Sequence, residues 1–418
     1  MTNERFTGWQ EPRKRNTNWA LLCILIIIAP TLFTIIYDGY RVHWSDYMQT
    51  YNYFVGYKYG WGGRKFLGTI IEPLLPQFVT AKTIRNIVIP SNIIMMMLTS
   101  LMVWLGLPKK REEAIPLALF LALYLASPFS ILNYVFSDLS LVCIETYQLL
   151  LLLLWIIAYI RGKDKWCYYI LTFTVPICCL LIHHTFFCTL YPLMLGLFIF
   201  DTMRDGKPST KKVIVYGLNV LMLLVLFLAL WLYGEMNIDK DSLYETIARR
   251  ANSDVLPDKN WLTWYYYMSN EENTVSAMTT EIRIRFVLEF LIMLPLIVVL
   301  AAPWWLTSKR ATSWGNRMRY ILPPICVILF TIPVFMMAYD YSRWWICLFF
   351  QLIVLLITSH DDDHLKKSLL SLSSHAVKHW YVVLLLMAFL LQLHNSSRMF
   401  AGLEESERLM SFVKGLLP

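Results

Sequence analysis

Residues 166–200 contain no Asp, Glu, Lys or Arg, and this uncharged apolar run restricts the fold more than any other feature of the sequence. A helix needs about 20 apolar residues to cross a bilayer. The run is therefore too long for one untilted span, and we predict that it divides near His183 and His184. The two halves of this run and similar apolar segments elsewhere are predicted to be membrane spans. The predicted spans cover approximately residues 19–37, 86–107, 114–127, 139–160, 166–182, 185–201, 213–234, 286–307, 320–338, 344–359 and 380–394.

The composition agrees with a membrane protein. Hydrophobic residues make up 57% of the 418 residues and charged residues 16%, whereas soluble domains carry about 25% charged residues. This excludes a soluble enzyme, a disordered protein and a fibrous protein. The apolar runs are continuous rather than alternating, which argues against a β-barrel. The predicted fold is all-α, a polytopic integral membrane protein with about 11 transmembrane helices.

Basic residues predict the side on which each loop lies. With the N-terminus in the cytoplasm, every short inner loop carries at least three Lys or Arg, whereas the short outer turns carry none or one. This is the positive-inside pattern. The predicted organisation is a cytoplasmic tail over 1–18, one transmembrane domain over 19–394 with long outer loops 38–85 and 235–285, and an outer tail over 395–418.

Net charge and cysteines point to no soluble partner. The formal charge of +8 follows from the loop pattern and does not indicate nucleic-acid binding. The eight cysteines lie in apolar stretches, so they are predicted to be buried small hydrophobes and not a disulfide framework or a zinc site.

The two long outer loops carry the first group of candidate site residues. Asp38 follows the first span and Asp46 comes eight residues later, so each is a candidate general base. Arg64 and Lys65 begin an apolar, interfacial segment that reaches Pro73, and they suit either a substrate phosphate or lipid headgroups. Sugar rings require flat apolar surfaces, and the candidates for such surfaces are Trp61, Trp261, Trp264 and Tyr265.

Two further outer turns carry charged or titratable pairs. Asp340 and Arg343 are three residues apart, which places them on one helical face, either as a structural ion pair or as an oriented phosphate-binding arginine. The adjacent His183 and His184 lie in an apolar stretch. A neutral imidazole there suits donation to a phosphate oxygen or acid–base catalysis, and the alternative is a satisfied core histidine.

Three carboxylates lie within or beside predicted spans. Asp138 and Glu145 are seven residues apart on one helical face, and Glu289 lies in a later span. Such groups line a transport pathway, relay protons or hydrogen-bond between helices. By contrast, His360-Asp361-Asp362-Asp363-His364 resembles a metal cluster but falls on the predicted cytoplasmic side, so we interpret it as a solvated loop.

Several short motifs resemble those of a known superfamily. The first outer loop contains Arg64-Lys65-Phe66-Leu67-Gly68, similar to an Arg-Arg-Gly-Leu-Ile-Gly-like motif. Ile182-His183-His184 is similar to an Ile-His-Glu-like motif, and Asp340 to Trp344 matches Asp-x-x-Arg-Trp. With an acidic residue after the first span and a large first outer loop, the chain resembles the GT-C superfamily of polyprenyl-phosphate-dependent glycosyltransferases and bacterial surface-polysaccharide polymerase-like proteins. It departs from them at Lys65, Phe66 and His184.

The resemblance implies a membrane glycosyltransferase or polysaccharide polymerase of cell-surface glycans such as O-antigen or capsule. Its catalytic residues would be Asp38, Asp46 and His183. Its donor-phosphate ligands would be Arg64, Lys65, His184, Asp340 and Arg343. It would act at the outer face of a bacterial inner membrane, with a lipid-linked sugar donor, a glycan acceptor and membrane lipids as partners.

Two other functions stay open from the residues alone. A lipid-linked saccharide flippase would use Glu145, Glu289 and the arginines along a pathway, without bond chemistry. A membrane acyltransferase would use His183 or His184 as its base. No ligand spacing in the sequence is diagnostic of a metal, so no resident metal is predicted and the participation of a divalent cation is left open.

Overall fold

The structure is a computed structural model that describes residues 50–108, 110–127, 129–131, 144–163, 165–203, 209–267, 280–337 and 341–395. The predicted span 19–37 therefore lies outside the described residues. The α-helices, numbered in chain order, are α1 Tyr51–Phe54, α2 Phe66–Ile71, α3 Ala81–Gly106, α4 Arg111–Ala126, α5 Glu145–Gly162, α6 Trp166–Ile182, α7 Phe186–Thr189, α8 Tyr191–Thr202, α9 Thr210–Tyr233, α10 Lys240–Ala248, α11 Lys259–Leu262, α12 Thr280–Arg310, α13 Trp314–Met337, α14 Tyr341–Ser359, α15 Asp363–Lys378 and α16 Trp380–Asn395.

The all-α prediction is confirmed for the described residues. They form helices and turns, with one isolated parallel bridge between Val79 and Ala251 in place of a sheet. Most helices coincide with predicted apolar segments, and α6 reproduces the predicted segment 166–182. Helix α15 was not predicted, because its sequence alternates polar and apolar residues at helical spacing instead of forming an apolar run.

The number of spans differs from the prediction. By length and composition, four described helices are able to cross a membrane: α3, α5, α9 and the 314–335 part of α13. A fifth is added if α14 and α15, which bend by 115° at their junction, count as one broken span. Several predicted segments are too short as helices, since α6 has 17 residues and α8 has 12 against about 20 for a full span. The described helices thus support an integral membrane protein but not the count of about 11.

The apolar run 166–200 breaks next to His183 and His184, as predicted. Helix α6 ends at Ile182, the short α7 follows, and α8 begins at Tyr191. Gln351 of α14 is fully buried and bridges the break: its amide donates to the carbonyl of Thr189 at 2.7 Å and its oxygen accepts from the N–H of Leu193 at 2.8 Å. Because lipid offers no hydrogen bonds, this side chain allows the backbone to bend inside the bundle.

Within the described ranges, the buried apolar residues form two clusters. The larger one fills the space between the long helices, and we call it the bundle core. The smaller one, which we call the cap, joins residues of the two predicted outer loops with Val88, Ile144 and Ile182.

The two predicted outer loops pack on each other within the cap. The N–H of Val79 donates to the carbonyl of Arg250 at 2.7 Å, and the N–H of Asn252 donates to the carbonyl of Val79 at 2.8 Å. Glu72 of the first loop pairs with Arg250 of the second. Two loops that are distant in sequence therefore form one folded unit at the end of the bundle.

The opposite end of the bundle is held by ion pairs. The buried carboxylate of Asp201 on α8 pairs with Lys163 and Lys212 and accepts from the hydroxyl of Tyr216 at 3.0 Å. Asp362 pairs with Arg319 at 2.9 Å and caps the start of α15. The segment 360–364, predicted to be a solvated loop, is therefore partly a structural junction, because Asp362 satisfies a helix N-terminus and a neighbouring arginine.

Candidate functional site

A tight turn in the cap presents Arg64. Its backbone φ values are positive at Gly60 (136°), Gly62 (145°) and Arg64 (66°), and Arg64 is the single non-glycine residue with positive φ in the described part of the chain. Such a conformation costs a side-chain-bearing residue about 1–3 kcal/mol and persists where the surroundings enforce it. The turn therefore holds Arg64 in a strained position, as is common at functional sites.

Lys65 anchors this turn. Its side chain is buried, and its ammonium donates to the carbonyl of Trp61 at 2.6 Å and to the carbonyl of Glu235 at 2.8 Å. Burial lowers the pKa of Lys65 to about 8. These contacts join the first loop to the chain that follows α9. Lys65 was predicted as a phosphate ligand, and that role stays a prediction. In the structure its ammonium holds the turn through these two carbonyls.

The same turn lies directly against the histidine pair. A Cβ atom added at Gly63 would come within 2.8 Å of His184 Nδ1, which is closer than real Cβ contacts. Glycine is therefore required at this position for the turn to approach the imidazole. The first-loop motif and the histidine motif, about 120 residues apart, thus meet in space.

His183 and His184 lie in the turn between α6 and α7 with their rings stacked at 5.0 Å. The His184 ring also packs edge-on against Trp231 of α9 at 5.9 Å. Gln148 of α5 is fully buried, and its amide donates to the carbonyls of His183 at 2.9 Å and Cys179 at 2.8 Å. The turn is therefore held from three sides by α5, α9 and the cap.

Both imidazoles are neutral at physiological pH. Burial, followed by the positive charge of Arg64, lowers the pKa of His184 to about 3. Burial lowers the pKa of His183 well below its usual value, and the charges of Arg64 and Arg343 add to the effect. Two guanidinium groups from different parts of the chain thus act on one imidazole.

The hydrogen bonds of His183 define its tautomer. The backbone N–H of Thr185 donates to His183 Nδ1 at 3.1 Å, and the Thr185 hydroxyl also contacts this atom. Since Nδ1 accepts, the neutral ring carries its proton on Nε2. This nitrogen is therefore a hydrogen-bond donor, which suits an anion and does not suit a general base.

Arg343 lies in the first turn of α14 and pairs with Glu145. The guanidinium Nη1 lies 3.2 Å from Glu145 Oε1, and both side chains are largely buried. The described helix α5 begins at Glu145. Glu145 was predicted to be membrane-embedded, either along a pathway or in a contact between helices. In the structure it begins a helix that is long and apolar enough to cross a membrane, and it pairs with an arginine of another helix. Its role along a pathway stays a prediction. Asp340, the predicted partner of Arg343, lies outside the described residues.

The structure therefore brings four predicted site residues together: Arg64, His183, His184 and Arg343. Of the others, Asp38, Asp46 and Asp138 lie outside the described residues, and the side chains of Trp264, Tyr265 and Glu289 are not described. Trp61 lies in the turn before Arg64, 44% exposed and stacked on Tyr57 at 5.5 Å. Trp261 lies on α11 in the cap and is 36% exposed.

Sequence reasoning missed two contributors to this cluster. Gln148 fixes the histidine turn, and Gly63 permits its contact with the cap. A glutamine one turn beyond Glu145 in an apolar helix was the available signal for the first. Within the described ranges no group of three or more His, Cys, Asp or Glu side chains is placed to hold a metal ion.

Comparisons with models of known protein families, with curated proteins and with solved structures gave no match for this chain. Function must therefore be argued from the site.

Proposed function

We propose that this protein is a membrane glycosyltransferase or polysaccharide polymerase that takes a sugar from a polyprenyl-phosphate or polyprenyl-diphosphate donor at the outer face of the membrane. The observation that carries the proposal is the convergence of Arg64, Arg343 and two neutral histidines at the cap end of the bundle.

The donor set matches a leaving group that carries phosphate. Arginines bind phosphate oxygens bidentately, and a neutral Nε2–H of His183 adds a fixed donor without requiring a proton from solvent. Donors already in place stabilise the negative charge that develops as the bond to the sugar breaks. A phosphate on a lipid must be met at the membrane boundary, and the cluster lies where α5, α6 and α14 end or begin.

The reaction would proceed by attack of an acceptor hydroxyl on the anomeric carbon of the donor sugar. The anomeric C–O bond to phosphate breaks, and the phosphate leaves with the electron pair toward Arg64, Arg343 and His183. Asp38, or alternatively Asp46, would accept the hydroxyl proton. Exposed aromatic faces such as that of Trp61 would support a sugar ring.

The test uses the full chain in lipid nanodiscs with a polyprenyl-diphosphate sugar donor and candidate glycan acceptors. Mass spectrometry detects the new glycosidic product. We expect the wild-type chain to form product and Asp38→Asn to form none while remaining folded. Translocation of the donor without a new bond would replace the proposal with a flippase. Transfer of an acyl group would replace it with an acyltransferase.

A further inference from the structure

The segment that leads from the Arg64 turn to α3 has two apolar sides. One side faces the cap core, and its buried members are Leu67, Ile71, Leu75 and Val79. The other side carries Ile70, Leu74 and Phe78, which are 49%, 79% and 54% exposed. The two sets alternate along the chain, so that every fourth residue from Ile70 to Phe78 is a large exposed apolar side chain. We call Ile70, Leu74 and Phe78 the apolar ridge.

The ridge is held rigidly in its exposed position. The backbone N–H and carbonyl of Val79 both form hydrogen bonds with the second loop. The carboxylate of Glu72 forms ion pairs with Lys58 and Arg250. Gly68 lies so close to the backbone of Val55 that no side chain would fit there. The three side chains therefore do not fold back onto the protein, and large apolar side chains that are held exposed close together in sequence indicate a contact partner.

The position of the ridge indicates what that partner is. Helix α3, long and apolar enough to cross a membrane, begins at Ala81, two residues after Val79. Its exposed side carries Ile93, Ile94 and Met97 in helical spacing. The ridge thus continues, along the chain, into the surface that α3 presents outside the bundle.

Basic residues separate the ridge from that apolar surface. Lys82 and Arg85 are exposed and lie in the first turns of α3, three residues apart on one face. Basic side chains at a span boundary extend toward lipid phosphates while apolar neighbours contact acyl chains. Along the chain, the apolar ridge is followed by the two basic residues and then by the apolar surface of α3. This order is typical of a segment that lies among lipid headgroups.

We propose that the apolar ridge is immersed in the bilayer that the helices cross, with phospholipid acyl chains as its occupant and phospholipid phosphates at Lys82 and Arg85. The cap is then anchored to the membrane at a fixed depth. Arg64 lies six residues before the ridge, on the same rigid segment, and is held near the level of lipid headgroups. This inference does not depend on the reaction that the site performs.

The experiment introduces a photo-crosslinking amino acid at Leu74 or Phe78 of the full chain. The matched control position is Glu245, on α10 of the same cap, where Asp241, Glu245 and Arg249 form an exposed charged surface. Each protein is placed in nanodiscs of phosphatidylethanolamine and phosphatidylglycerol, irradiated and weighed by intact-mass spectrometry. All three positions are exposed, so the labelled chains are expected to fold.

We expect phospholipid adducts at positions 74 and 78 at least fivefold above those at position 245. Equal adduct levels at all three positions would overturn the proposal. So would cross-links that join two copies of the chain, because the ridge would then be an oligomer interface. A second set of nanodiscs also contains a polyprenyl phosphate. An adduct with the mass of this isoprenoid lipid, in place of phospholipid adducts, would overturn the choice of phospholipid as occupant.

Discussion

The two ends of the helix bundle use their charges differently. At the end opposite the cap, Asp201 is surrounded by Lys163, Lys212 and Tyr216, and Arg319 is paired with Asp362. These ion pairs join helices α5, α8, α9, α13 and α15. At the cap end, the charges that act on His183 are the guanidiniums of Arg64 and Arg343.

The comparison separates a structural charge cluster from a candidate binding site. A buried carboxylate with two lysines has its electrostatic needs met within the protein. At the cap end, two arginines lie near two buried imidazoles, and one of these arginines is oriented by its pairing with Glu145. Arginines held in place in this way suit the binding of a phosphate. Mutations at the two ends should therefore affect different quantities, stability at one and activity at the other.

The largest expected effect is on activity at the cap end. Arg64→Gly removes the guanidinium and also relieves the positive φ, since glycine adopts it freely. We expect the transfer rate to fall about 10²–10³-fold, as for other lost oxyanion donors, while thermal stability stays equal or rises. Arg249→Gly, an exposed arginine at a helix end in the same cap, is the control and should retain the wild-type rate.

If Arg64→Gly instead lowered the melting temperature and kept its activity, the cap-end arginines would be structural and the contrast between the ends would fail. Arg343→Gln is a less clean probe, because it leaves the buried carboxylate of Glu145 without this ion-pair partner.

The second effect is on stability at the opposite end. Asp201→Ala removes the carboxylate between Lys163 and Lys212, and both ammonium groups lose this partner. We expect a loss of about 2–4 kcal/mol in unfolding free energy, because an ion pair is broken by removal of one member and the lysines are partly exposed. Thermal unfolding in detergent measures it. The folded fraction should keep its phosphate affinity. A loss of affinity at unchanged stability would contradict the assignment of a structural role to this end of the bundle and a binding role to the cap end.

A smaller effect is expected from Gly63→Ala. The added methyl would meet His184 Nδ1, so either the turn or the ring must shift, at a cost of about 1–3 kcal/mol for overpacking. We expect a roughly tenfold lower transfer rate, because donor placement affects catalysis steeply. Gly217→Ala on α9 is the matched control: a Cβ there meets nothing within 4 Å. Equal activity of both variants would refute the contact between the turn and the histidine.

The smallest effect concerns Lys65 and pH. Burial lowers the pKa of Lys65 to about 8. The unfolded chain then binds more protons than the folded one between about pH 8 and the usual lysine range, so the contribution of Lys65 to the unfolding free energy rises with pH in that window. Deprotonation of Lys65 also removes a positive charge near the proposed anion site, so the affinity for anions falls as the pH rises. We expect binding of inorganic phosphate to weaken two- to threefold between pH 7.5 and 9.5.

The Lys65→Gln variant isolates the contribution of Lys65 to the pH dependence of phosphate binding. The titration of phosphate itself affects the variant and the wild-type chain equally. Its affinity should be lower at pH 7.5 and should change less with pH than that of the wild-type chain. Parallel pH profiles for the two proteins would show that Lys65 does not titrate in this range.

Local patterns predicted the all-α class and the bounds of some helices, but not the number of spans or the contacts between distant residues. The residue-by-residue agreement of α6 with segment 166–182 arises because a long apolar run in lipid must satisfy its backbone internally as a helix. The ion pair between Glu145 and Arg343 joins residues 198 positions apart, and no periodicity reports such a contact. The positive φ of Arg64 also had no signal, since residues other than glycine rarely adopt it.

The sequence by itself determined that the chain is helical, that its apolar segments lie in a membrane-like arrangement, and which rare polar residues were worth following. These follow from composition and from the hydrogen-bonding needs of the backbone, which are local properties. The tertiary structure alone decided that two distant loops form one cap, that Glu145 orients Arg343, and that Gly63 lets Arg64 reach the histidine pair. Such contacts depend on side-chain shape and on chain crossings between distant segments, because packing free energy is a property of the whole assembly of helices.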